Sequence, residues 1–225
     1  MKKAAVLFSG GKDSCLALFK AAQEGYKIVC LLSVVPEIQD SMLFHTPNKE
    51  LLEKQAEALS IPLITKGTKA REETEELRDL RELIKNAREK YKFGTLVVGG
   101  IASNYQAGKF GEISKNFGLE IYAPLWNYSS EKLWGELFKN KFRVVIIKAS
   151  CEGISKEILG KPITKKEIMK LKKISEKYKF NLNFEGGEAE TAVLWMPGFG
   201  KEIKIEYDVY SEGKYRHFVK IKNIK

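Results

Sequence analysis

The chain has 225 residues, 44% of them hydrophobic and 30% charged, and carries a formal net charge of +10. That length fits one large domain or two small ones with a real core, and the composition excludes a disordered chain. No apolar run approaches the roughly 20 residues needed to cross a bilayer, and Ala4–Phe8 is too short for a signal-peptide core, so a cytoplasmic protein without a membrane partner is expected.

The first two-thirds alternates short apolar runs with helical patterns. Ala4–Phe8 is a predicted strand and Asp13 to about Glu24 a helix; Ile28–Val35 is the second strand. Thr46-Pro47 then suits a helix start, with Thr as cap and Pro at the first helical position. That helix ends near Ser60 and the strand Pro62–Thr65 follows. Next come a charged helix over Arg71–Tyr91, a strand Thr95–Val98, a helix from Ser103 to Phe117 and a strand Glu120–Tyr122. Such alternation predicts an α/β fold: a doubly wound, mainly parallel, Rossmann-like sheet.

After Pro124 the pattern changes. Ser129–Lys139 is a short helix, Phe142–Ala149 a strand, and Thr164-x-x-Glu167 a capping box opening a basic helix to about Phe180. Asn183–Thr191 is read as a Gly/Glu-rich loop, and Lys201–Tyr210 with Lys214–Lys222 as a β-hairpin around Ser211-Glu212-Gly213. The expected division is an α/β domain over 1–125 and a smaller α+β domain over 126–225.

Cys15, Cys30 and Cys151 are far apart and form no CxxC pair, and His45 and His217 are the two imidazoles. A structural zinc, an iron–sulfur cluster and a disulfide framework are therefore not expected. The positive charge is dispersed. Acidic residues divide into 25 Glu and 4 Asp, basic ones into 33 Lys and 6 Arg, an enrichment resembling a thermophile surface. The densest basic stretch, Lys165 to Lys173, is spaced like the solvated face of a helix.

The sharpest chemical signal is the turn Ser9-Gly10-Gly11-Lys12-Asp13-Ser14 between a predicted strand and a predicted helix. Glycines let the backbone turn its N–H groups onto phosphate oxygens, and the helix start turns its positive dipole end to the same place. Lys12 adds a full charge, and Ser9 and Ser14 add hydroxyls. A Walker A loop is excluded: Val6 stands where its first Gly belongs, and Asp13 where its Ser/Thr belongs. A GxGxxG pattern is also absent. Asp13 would repel phosphate unless a cation lay between them. Mg2+ held by Asp13 answers this, and capping of the helix by Asp13 is the alternative.

The hexapeptide matches the SGGxDS signature of the PP-loop ATP pyrophosphatases. His45-Thr46-Pro47-Asn48, Gly99-Gly100-Ile101-Ala102-Ser103-Asn104-Tyr105-Gln106, Pro124-Leu125-Trp126, Leu159-Gly160 and Glu185-Gly186-Gly187-Glu188-Ala189-Glu190-Thr191 follow in this order. Across nearly its whole length the chain resembles the diphthine–ammonia ligase family of PP-loop enzymes. The resemblance implies an adenine nucleotide α-hydrolase-like fold, ATP and Mg2+ as cofactors, and a protein substrate, translation elongation factor 2 bearing diphthine. The implied reaction is adenylation of the diphthine carboxylate, with release of pyrophosphate, then displacement of AMP by ammonium to give diphthamide. Nucleic acid is not required, and a homo-oligomer is allowed.

Under this resemblance Ser9, Gly10, Gly11, Lys12, Asp13, Ser14, Gly100 and Ile101 hold the nucleotide, and Lys12, Asp13 and Glu188 serve catalysis. His45, Ser103, Tyr105, Gln106, Trp126, Glu185, Gly186, Gly187, Glu188, Glu190 and Thr191 face the substrate. Three carboxylates in one Gly-containing loop repel one another unless they share a cation. The trimethylammonium of diphthine, ammonium or Mg2+ would serve, and Trp126, Tyr105 or Trp195 could add a cation–π contact. Glu188 is also a candidate to take the proton from attacking ammonia. The chain departs from the family at Ala189, Asn104, Lys109 and Trp195, where an aromatic, an Asp, an Arg and an acid are usual. A tRNA-modifying PP-loop enzyme and a non-catalytic nucleotide sensor are the competing readings.

Overall fold

The computed structural model describes residues 1–36, 48–68, 73–100 and 104–225, and of residues 36, 73, 104–107 and 109 the backbone alone. The chain folds into two compact units, Met1–Trp126 and Asn127–Lys225. Among the described residues no helix is long and apolar enough to cross a membrane.

The first unit alternates β1 (Lys3–Leu7), α1 (Lys12–Gln23), β2 (Lys27–Pro36), α2 (Lys49–Leu59), β3 (Leu63–Thr68), α3 (Glu73–Tyr91), β4 (Thr95–Val97), α4 (Asn104–Phe117) and β5 (Glu120–Tyr122). The strands lie in the order β3-β2-β1-β4-β5, and every neighbouring pair is parallel. This is the expected doubly wound sheet. The chain moves outward from β1 to β3, then returns to β4 on the other side of β1. The turns after β1 and β4 thus open at the switch point, where such sheets bind ligands.

Burial explains the strands. Ala4, Ala5 and Val6 of β1 and Leu31, Leu32 and Val34 of β2 are all inside, the continuous apolar run of a sheet covered on both faces. On one face Ala5, Leu32 and Val34 pack with Leu77, Leu80, Leu83 and Ile84 of α3 and Ile113 of α4. Their neighbours along each strand point the other way.

Helix α2 corrects one expectation. Its cap is Asn48, whose Oδ1 accepts the Leu51 N–H at 3.0 Å, so the helix opens at Lys49 and not at Thr46-Pro47. Those two residues lie outside the described ones.

The second unit comprises α5 (Ser130–Lys139), β6 (Arg143–Ala149), a 3-10 turn (Lys156–Ile158), α6 (Lys165–Tyr178), β7 (Ala189–Trp195), β8 (Ile205–Glu212) and β9 (Arg216–Ile224). Its four strands lie in the order β7-β6-β9-β8, each neighbouring pair antiparallel. The Thr164/Glu167 capping box is present at the start of α6, and β8 and β9 form the expected hairpin. The loop expected over Asn183–Thr191 is shorter than the sequence suggested. Strand β7 begins at Ala189, because its backbone pairs with β6 from Ala149↔Ala189 onward and Ala192, Val193 and Leu194 are buried.

Candidate functional site

The carboxyl end of β1 runs into the turn Ser9–Ser14, and α1 starts inside that turn with Gly11 as its cap and no side-chain cap bond. The cap position is thus Gly11, and Asp13 lies in the first turn of the helix. Gly10 has φ +71°, a backbone state that costs other residues about 1–2 kcal/mol. An added Cβ there would lie 2.1 Å from Gln55 Oε1 and 3.0 Å from Leu52 Cδ2. Gln55, fully buried, donates from Nε2 to the Gly10 carbonyl at 2.9 Å. A carbonyl held by α2 is a carbonyl kept from reorienting within the turn.

The hydroxyls of Ser9 and Ser14 lie 3.2 Å apart, and the backbone N–H groups of Ser9 and Gly11 reach them at 3.3 and 3.4 Å. These contacts sit at the long end of hydrogen bonding. Lys12 is 2% exposed and its Nζ lies 2.8 Å from Asp13 Oδ2. The cation that the sequence demanded beside Asp13 is therefore, in the first instance, its own neighbour.

The turn after β4 meets the turn after β1. A Cβ added at Gly99 would lie 2.8 Å from both the Asp13 carbonyl carbon and the Ser14 nitrogen, so a side chain here is excluded by backbone. Gly100 follows directly, half-buried, three residues past the end of β4. Ile101, Ser103 and His45 lie outside the described residues. Tyr105 and Gln106 sit on the first turns of α4, where the backbone alone is described. Trp126, the last residue of the first unit, is half-buried, and its N–H bonds to Ala123 O at 3.2 Å.

Residues 181–188 form the acidic turn of the second unit. Trp134 anchors its start by donating its indole N–H to Leu182 O at 3.0 Å, and Asn183 donates to Tyr128 O at 3.3 Å. Glu188 closes the turn: one carboxylate oxygen accepts the Asn181 N–H at 3.0 Å, the other the Gly186 N–H at 2.8 Å. Glu190, already on β7, pairs with Lys148 of β6 at 2.7 Å. The premise of three carboxylates sharing one cation thus needs correction, since Glu190 has its own ammonium and Glu188 has two backbone donors. Glu185, Gly186 and Gly187 are exposed, and Thr191 is half-buried on β7. Among the described residues no three His, Cys, Asp or Glu side chains are arranged for a metal. Trp195 ends β7, six residues beyond Ala189 and hence about 20 Å away along the strand. There it packs edge-on against Phe199 and lines a groove of about 500 Å3 with Phe138, Pro162 and Arg143. It does not box a cation with Glu188.

The observed role of Glu188 sets an expectation. Glu188→Gln keeps one acceptor and places an amide N–H against a backbone donor, so it should cost about 1 kcal/mol and slow turnover by less than tenfold. A hundredfold drop in kcat with unchanged Tm would instead make Glu188 the proton acceptor.

The cysteines are built as core residues. Burial pushes the Cys15 thiol far up and that of Cys30 up to about 12. Cys151, half-exposed, is raised to about 11 by burial first and the Glu188 carboxylate second. A shift from 9 to 11 leaves about one-hundredth of the ordinary thiolate at pH 8. Iodoacetamide labelling of the folded protein, followed by mass spectrometry, should run about 100-fold slower than for a free cysteine.

Gln55 and Gly99 are the positioning residues that the sequence reading did not assign. Gln55 had a signal: it stands at i+4 from Leu51 and i+3 from Leu52, a polar residue inside an apolar helical stripe.

The diphthamide synthase N-terminal domain model matches residues 1–121, and the diphthamide synthase C-terminal domain model matches residues 129–225. A diphthine–ammonia ligase of Mus musculus is 32% identical over 222 residues, spanning 91% of this chain and 83% of its own length. The Homo sapiens diphthine–ammonia ligase is 31% identical over the same shares. That of Schizosaccharomyces pombe is 29% identical over 88% of this chain, but the match spans 35% of its own length. Both halves of the sequence are thus accounted for, and the chain belongs to the diphthamide synthase family, as a ligase of that family.

Proposed function

We propose that this chain is an ATP-dependent diphthine–ammonia ligase acting on translation elongation factor 2. One observation carries the reading: a glycine turn with φ +71° at Gly10, closed from one side by Gln55 and from the other by Gly99. That turn sits at the switch point of a parallel sheet and is shaped for phosphate oxygens. A methyl group at either glycine would collide with the turn or with the side chain that holds it.

In this reading residues 1–125 bind ATP and 126–225 the acceptor. Phosphate oxygens take over the N–H and hydroxyl groups that now make the long contacts within Ser9–Ser14. Lys12 turns its ammonium to the departing pyrophosphate, where charge accumulates as the bond to the α-phosphorus breaks. Asp13 is the residue that would hold Mg2+. One carboxylate fits that ion, which takes its other ligands from phosphate and water, and the metal supplies charge neutralisation on the triphosphate. Gly100 and Ile101 flank the adenylate. A diphthine carboxylate oxygen attacks the α-phosphorus, the α–β P–O bond breaks, and pyrophosphate leaves. The ammonia nitrogen then attacks the acyl carbon and loses a proton to water, and AMP departs as the bond from the acyl carbon to its phosphate oxygen breaks. His45, Ser103, Tyr105, Gln106 and Trp126 are assigned to the acyl side. The acidic turn Glu185–Glu188, with Glu190 and Thr191, is assigned to the cationic part of diphthine.

The test incubates the protein with ATP, Mg2+, ammonium and diphthine-bearing elongation factor 2, and follows AMP by chromatography and the amide by mass spectrometry. AMP and amide formed together, both dependent on the factor, are expected. AMP formed only with tRNA would replace this reading with tRNA modification, and nucleotide binding without AMP would replace it with a sensor.

A further inference from the structure

Helix α6 does not fit the thermophile-surface account of the lysines. Helix α3 is what that account requires: six acidic and five basic residues interleaved along Glu73–Tyr91. Helix α6 carries six lysines and two glutamates along Lys165–Tyr178, and Glu167 is committed to the capping box. Lys166, Lys170, Lys173 and Lys177 recur at i, i+4, i+7 and i+11, so they form one stripe about 16 Å long. All four are exposed. Of the α6 lysines, Lys172 alone makes an ion pair among the described residues, with Glu131 at 3.0 Å. Like charges at this spacing destabilise a helix; Lys170 feels Glu167, but none of the four stripe lysines makes an ion pair among the described residues. Leu171 is the residue of α6 that is fully buried, so the stripe is not a by-product of core packing.

An aromatic surface adjoins the end of the stripe. Tyr178 and Tyr215 are each 36% exposed. The Tyr178 ring rests against the backbone of Gly153, where an added Cβ would lie 2.8 Å from its Cδ2, so one side of the ring is seated and fixed. The Lys177 ammonium lies 4.9 Å from the Tyr178 ring centroid and that of Lys214 lies 5.0 Å from the Tyr215 centroid. Lys214 is held charged first by its hydrogen bond to Tyr215, and it also feels Glu152 and Tyr178.

We infer that the α6 lysine stripe and the Tyr178/Tyr215 pair form a docking surface for single-stranded RNA, with phosphates along the lysines and bases on the tyrosines. The rises between successive lysines, about 4.5–6 Å, suit successive phosphates of an extended strand, and seated rings beside a basic track are how single strands are held without sequence readout. Tyrosines serve protein interfaces as well, so the regular spacing of the lysines is what favours a polynucleotide over an acidic protein face. The choice of RNA over DNA rests on the proposed substrate, a translation factor. RNA binding and amide formation are read in separate assays, so each can fail alone.

Binding of a fluorescein-labelled 20-residue oligouridylate to the full chain is followed by anisotropy from 50 to 300 mM salt. The triple variant Lys166→Glu/Lys170→Glu/Lys173→Glu should bind at least tenfold more weakly and flatten the log K against log salt slope by about 2. A control with the same net charge, Lys27→Glu/Lys92→Glu/Lys115→Glu, changes three exposed lysines of the first unit and should lose less than threefold. Tyr178→Ala should lose about tenfold and Tyr178→Phe should bind like the parent, with Tm recorded for each. An equal loss in both charge variants would reduce the effect to bulk charge and overturn the proposal. So would wild-type binding by the α6 variant, or displacement of the oligonucleotide by polyglutamate as readily as by unlabelled RNA.

Discussion

Gly10→Ala is expected to cost about 3 kcal/mol of stability and to weaken ATP binding by more than tenfold. Two separate terms add. The φ of +71° strains any residue with a Cβ by about 1–2 kcal/mol. The new methyl also lands on Gln55 Oε1, and Gln55, fully buried, has no open space into which to withdraw. Its bond to the Gly10 carbonyl breaks, leaving a buried acceptor unsatisfied at about 1–3 kcal/mol. A cycle separates the terms. In a Gln55→Ala background the collision with Gln55 is gone and the bond is already lost, so adding Gly10→Ala should cost the strain and the 3.0 Å approach to Leu52 Cδ2 alone. Urea unfolding of the four proteins and ATP titration by calorimetry read the two effects. Additive losses would show that Gln55 and Gly10 act independently and would remove the positioning role of α2.

The first unit was legible because its signals agree at every level. Continuous apolar runs, helix starts and glycine turns recur at the spacing of a strand–helix repeat, and the parallel sheet follows from them. The second unit was less so. Strand β7 hid behind Glu185-Gly186-Gly187-Glu188, whose loop chemistry ran on in the reading to Thr191, because Ala192-Val193-Leu194 is buried without alternation. Long-range partners left no local trace. That Glu190 belongs to Lys148 follows from β6–β7 register, and that Gln55 belongs to Gly10 follows from how α2 returns against the turn after β1. The motif marked the glycines of the turn after β1, but the clash of a Cβ at Gly99 with the backbone of Asp13 exists only once β4 lies beside β1.

Lys12→Met is expected to lower the rate of AMP formation by about 100- to 1,000-fold, the usual consequence of removing one fixed donor to developing charge. It should also weaken ATP binding, for a reason specific to this site. Lys12 is buried and paired with Asp13 at 2.8 Å, so its removal leaves a carboxylate facing the phosphates with no cation of its own. That repulsion is removable. Titrated without Mg2+, Lys12→Met/Asp13→Asn should recover much of the ATP affinity, because the amide no longer repels phosphate; with Mg2+ the rate stays low, because nothing replaces the ammonium at the leaving pyrophosphate and the carboxylate that would hold the metal is gone. Single-turnover measurements with saturating ATP separate the two parameters. Full recovery of the rate in the double variant would mean that Lys12 serves only to neutralise Asp13. A single variant within tenfold of the parent would remove Lys12 from the chemistry altogether.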